Sequence, residues 1–132
     1  MLAANFLFNI IADIDYEKAQ MLVIKKSSDA LVSGGHIYID YGYTLHPENW
    51  FANANETVVW QGTDSNGNTG KMALLDSSFD SKTELNKFIR RFELLLSDGT
   101  EIRQDIPSTK HFATLEQIHQ WLEDAGFIVE EE

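Results

Sequence analysis

The chain has 132 residues with 43% hydrophobic and 11% aromatic content, which fits one globular domain and excludes a disordered segment. Ten Lys and Arg stand against 21 Asp and Glu, a formal charge of −11 that repels phosphate backbones and argues against nucleic acid as the main ligand. The absence of cysteine removes disulfides and thiolate metal sites and fits a reducing, cytoplasmic setting, and apolar runs such as 21–24 and 94–96 are too short to span a membrane.

Residues 5–11 form an apolar run ahead of Asp13 and Asp15, the pattern of a strand covered on both faces. An amphipathic helix follows, with Ala19, Leu22, Val23, Ala30 and Leu31 on one stripe and Glu17, Lys18, Lys25 and Lys26 outside it. Gly34 and Gly35 end it, and residues 36–41 read as a second strand. Strand, helix, strand implies a parallel pair joined by a crossover, with ligand-binding positions just past the strand ends.

From residue 45 the pattern changes to loops and antiparallel signals. Residues 56–61 are strand-like, Asn66-Gly67 is a hairpin signal, and residues 71–79 return as the partner. Residues 85–96 fit two templates: Leu85, Phe88, Ile89, Phe92, Leu95 and Leu96 lie on a helical stripe, whereas Phe88, Arg90, Phe92, Leu94 and Leu96 alternate. The adjoining Asp98-Gly99 turn selects the strand, residues 100–106 complete that hairpin, and Pro107 closes it. Thr114 with Gln117 forms a capping-box pattern ahead of a helix striped by Leu115, Ile118, Leu122 and Ala125, which Gly126 terminates. Phe127-Ile128-Val129 then begins a last strand. No repeat or linker interrupts the chain, which reads as a single domain, 1–132, with an antiparallel insertion at 45–107.

Motif tests are mostly negative. Around Gly70-Lys71 a phosphate loop would need glycine at Ser65 and Ser or Thr at Met72. Asp64, Asn66 and Asn68 have calcium-loop spacing, but Thr69 and Leu75 occupy the glycine and glutamate positions. The histidines at 36, 46, 111 and 119 show no metal-selecting spacing, so no metal is expected. Asn55-Glu56-Thr57 matches a glycosylation sequon by chance, since no secretory signal is evident.

Three segments have a recognisable order: Leu7-Phe8-Asn9-Ile10 before a helix; Leu31-Val32-Ser33-Gly34-Gly35-His36-Ile37-Tyr38-Ile39-Asp40; and His111-Phe112-Ala113-Thr114-Leu115-Glu116-Gln117 leading to Leu122-Glu123-Asp124-Ala125-Gly126-Phe127. In that order the chain resembles the C-terminal portion of class I S-adenosylmethionine-dependent methyltransferases, especially the small-molecule branch similar to glycine and sarcosine N-methyltransferases. The resemblance implies an α/β fold, a partial Rossmann-like sheet with an antiparallel β insertion. It further implies cofactor contacts at Asn9 and Ile10, and a small-molecule substrate admitted near Tyr41 and Tyr43 and oriented by His46 and Trp50. His111 is expected to be structural. Methyl transfer is an in-line displacement, so positioning and water exclusion do most of the work and no nucleophilic triad is needed.

The family's G-x-G-x-G turn has no counterpart among the eight glycines. The resemblance therefore implies a piece that is inactive alone, binds S-adenosylmethionine weakly, and associates with itself or with an N-terminal partner chain through an unpaired strand edge. A non-catalytic interaction module using the same edge is the alternative.

Overall fold

The computed structural model describes residues 4–6 and 11–130, with side chains from Ile11 onward except Ala12. Two units emerge, residues 1–45 with 110–132, and residues 46–109. The fold is mixed α/β, as expected.

In the first unit β1, Ala4–Phe6, pairs in parallel with β2, Ile37–Ile39, in the register Ala4 to Ile37, Asn5 to Tyr38 and Phe6 to Ile39. The strand pair joined by a helix is as expected, although α1 ends at Ala30, ahead of the separate turn that holds Gly34. Of the expected strand at 5–11, residues 7–10 lie outside the described residues, and Ile11 lies in a 3-10 turn, Ile11–Asp13.

Helix α1, Glu17–Ala30, turns a different face inward from the predicted apolar stripe. Its buried residues are Gln20, Ile24 and Ser27, while Leu22 is 52% exposed. Gln20 explains the rotation. Its Nε2 donates to the carbonyls of Ile11 at 2.7 Å and His111 at 2.9 Å, and its Oε1 lies 2.6 Å from His111 Nδ1. A side chain that satisfies three buried polar groups fixes the helix face more firmly than one leucine does. The Ser28 hydroxyl donates to the Ala125 carbonyl at 2.7 Å.

The chain's last helix completes the first unit. That final helix, α3, spans Leu115–Asp124 and carries the predicted capping box: the Thr114 side chain accepts from the Gln117 amide at 3.2 Å, and Gln117 Oε1 accepts from the Thr114 amide at 2.6 Å. Ile118 and Trp121 join Ile11, Ile24 and Ala113 in the core, with Ile39, Tyr41 and Phe127 packed against it. At its end Gly126 adopts φ 84°, its amide bonds to Glu123 and that of Phe127 to Leu122, a Schellman closure. The strand expected from Phe127 does not form. The closure commits the Phe127 amide to the helix, and Ile128 is 87% exposed.

The second unit contains a short helix α2, Pro47–Phe51, where a loop was expected; Pro47 in its first turn supplies a preset φ. A four-stranded sheet follows in the order β3-β4-β5-β6: Thr57–Thr63, Thr69–Asp80, Leu85–Leu95 and Glu101–His111. Strands β3 to β5 are antiparallel, so the alternating template was the right one for residues 85–96. The register shifts between Leu75 and Ser78, where Asp76 takes φ 51°. Asn86, 4% exposed, holds that bulge by donating to Ser77 Oγ at 3.1 Å and the Ser78 carbonyl at 3.0 Å. Strand β6 runs through Pro107 rather than stopping there. As the outermost strand it has an edge that needs no ladder donor from the proline. Among the described residues no helix is long and apolar enough to cross a membrane.

Candidate functional site

Asn9 and Ile10, the expected cofactor contacts, lie outside the described residues. Tyr41 and Tyr43 belong to the first unit, His46 and Trp50 to the second. Tyr41 is half-buried, donates its hydroxyl to the Ala113 carbonyl at 2.8 Å and packs its ring 5.7 Å from that of Phe112. That phenol is therefore committed to holding the segment before α3. Tyr43 is 39% exposed. His46 precedes α2, with Nδ1 3.3 Å from Glu48 Oε1, and Trp50 is exposed with its ring edge-on to Phe51 at 6.3 Å. Within the second unit His46 stands at the N-cap of the helix that carries Trp50; within the first, Tyr41 and Tyr43 share one segment.

Ion pairs link neighbouring strands of the four-stranded sheet. The Lys71 ammonium lies between Glu56 and Glu93, 3.2 Å from the latter, and Arg91 grips Asp105 through two bonds of 2.8 and 2.7 Å. Hydrogen bonding to Arg91 holds the Asp105 carboxyl below its ordinary range, and the bond to Lys71 does the same for Glu56. A carboxylate depressed in this way stabilises the folded chain above its unfolded pKa, about 4 to 4.5, and loses that contribution as pH falls through the folded value. Asp105→Asn is therefore expected to melt below the parent at neutral pH, with the two curves converging at acid pH. Thermal denaturation across that range checks it; a constant difference at every pH would show that the ion pair is not responsible.

Trp60, Met72 and Phe92 stand in one cross-strand row and line a mostly apolar groove of about 490 Å³ together with Leu94, Ile102 and Gln104, with Lys71 and Glu93 at its border. The sequence reading missed Trp60 as a site residue. Its signal was available in the glycines at 62 and 70, which flank the Asn66-Gly67 hairpin and become cross-strand partners once that turn sets the register.

The resemblance implies S-adenosylmethionine, and the described residues do not fit it. A cofactor cradle needs a glycine turn between a strand's end and a helix's start. The positive-φ glycines lie elsewhere: Gly34 in the turn before β2, Gly67 and Gly99 at hairpin tips, and Gly126 behind α3. Among the described residues no three His, Asp or Glu side chains form a metal-binding group.

No protein-family model matches the sequence, and no curated protein is significantly similar to it. Solved structures do share the fold. An S-adenosylmethionine-dependent methyltransferase from Clostridium acetobutylicum ATCC 824 superposes with a TM-score of 0.58 at 16% identity, over 89% of this chain and 44% of that one. The CcbJ methyltransferase from Streptomyces caelestis gives 0.54 at 15% identity, over 96% of this chain and 46% of that one. The chain thus has the fold found in part of these methyltransferases and spans less than half the length of either.

Proposed function

We propose that the chain is the rear, substrate-side part of an S-adenosylmethionine-dependent methyltransferase acting on a small molecule, in the branch similar to glycine and sarcosine N-methyltransferases. The observation that supports this best is the likeness to two methyltransferase structures across nearly all of this chain but under half of theirs. The parallel β1–β2 pair, joined through α1, agrees with it. In this reading Asn9 and Ile10 approach the cofactor, Tyr43, His46 and Trp50 contact the acceptor, and Tyr41 positions the segment that begins α3. The bound cofactor would supply the methyl group; the residues of this chain would orient the acceptor and exclude water. The glycine turn would come from outside this sequence, from preceding residues or an N-terminal partner polypeptide, and the whole would work in the cytoplasm.

The test is co-expression with the polypeptide encoded immediately upstream, followed by calorimetry with S-adenosylmethionine. The chain alone is expected to show no low-micromolar binding, and the co-purified pair to bind. Tight binding by the chain alone would refute the division of labour, and no binding by either preparation would refute the methyltransferase reading.

A second reading is favoured by one feature. Among the described residues β1 and β2 form a sheet of only two strands, leaving an outer edge on each without a strand partner. Such edges recruit other chains. In this reading the protein is a non-catalytic module that associates through them, and a dilution-stable monomer in sedimentation experiments would count against it.

A further inference from the structure

The apolar groove has no role in either reading, and its construction is specific. Gly62 and Gly70 are cross-strand partners, and the six-membered ring of Trp60 lies over both. A Cβ added to Gly70 would come 2.7 Å from that ring, and one added to Gly62 would come 3.2 Å from it. Glycine weakens a strand interior, so a glycine pair in register is retained where something must approach the backbone closely. Here that is the indole, seated on one side while the residue as a whole stays 58% exposed. Beside it Phe92 is 39% exposed, Leu94 38% and Ile102 52%.

We propose that this groove binds an uncharged, flat aromatic small molecule, stacked on the open side of the Trp60 indole and flanked by Phe92, Leu94 and Ile102. Size selects that occupant. The groove's volume of about 490 Å³ lies within the usual span of small-molecule sites. Charge points the same way. A second copy would also carry a net charge of −11. At the groove's border Lys71 is already ion-paired with Glu56 and Glu93, which leaves Gln104 as the polar group to orient an uncharged ligand. The site lies wholly within the second unit and does not depend on the methyltransferase reading.

Titration of the full chain with N-phenyl-1-naphthylamine, an uncharged planar fluorophore, tests the proposal. Saturable binding at one probe per chain is expected, with excitation transfer from tryptophan. Ile102→Glu places a charge in the groove from an exposed position, and Trp60→Ala removes the stacking surface; each should weaken binding by about ten-fold or more. Ile128→Ser, an exposed apolar position in the other unit, should leave binding unchanged. Non-saturable binding, equal affinity in Ile102→Glu, or a dimer in sedimentation that Ile102→Glu dissociates would each overturn the proposal.

Discussion

Gln20→Met is expected to destabilise the chain by about 3 kcal/mol, although methionine keeps nearly the same volume and is the better hydrophobe. Gln20 is fully buried, and both ends of its amide are in use. With Nε2 donating to two carbonyls, Oε1 must be the acceptor, which assigns the proton between the side chains to His111 Nδ1. Methionine would take this partner from the His111 carbonyl, from that ring N–H and from the Ile11 carbonyl, which keeps the Ile14 amide as a donor. Together these lost buried hydrogen bonds outweigh the apolar gain. A fall in the thermal midpoint of about 10 °C is the corresponding reading for a chain of this size. If Gln20→Met melts within about 2 °C of the parent, the amide is not what holds α1 against these two segments.

That amide also marks where the sequence stopped being legible. Gly34-Gly35, the Asn-Gly and Asp-Gly turns and the Thr114 capping box each specify a backbone conformation through a few adjacent residues, and the elements they bound appear in the structure. The buried face of α1 is set instead by a hydrogen-bond partner 91 positions away, at His111, which no periodicity can show. Leucine at 22 made the apolar stripe look plausible, yet a buried glutamine between two backbone carbonyls outweighs it. Pro107 misled for a related reason. Proline ends strands that need its donor, and only the strand order reveals that β6 is an edge where none is needed. The candidate site was less legible than the fold. Tyr41 was expected beside the substrate entrance, and the bond its hydroxyl donates to Ala113, 72 positions away, could not be read from the sequence. Trp60 looked like one residue of an ordinary strand until the register placed its ring over two glycines.

Trp121→Ala is expected to be the most damaging single truncation in the first unit, at about 3–5 kcal/mol. Trp121 is 6% exposed and belongs to the same cluster as Ile11, Ile24, Ala113 and Ile118. The cost depends on whether neighbours can move into the space left by the indole. Ala113 has too little side chain to do so, and its carbonyl is tied to the Tyr41 hydroxyl. Ile24 lies on the α1 face already fixed by Gln20, and Ile118 sits one turn back on the helix that the capping box anchors. A cavity lined by groups held in this way persists, so the transfer and void contributions add. Native-state hydrogen exchange distinguishes this from a local change: amides of α1 and α3 should exchange faster together, because both helices lean on the lost ring. Faster exchange in α3 alone would mean that the indole does not couple the two helices.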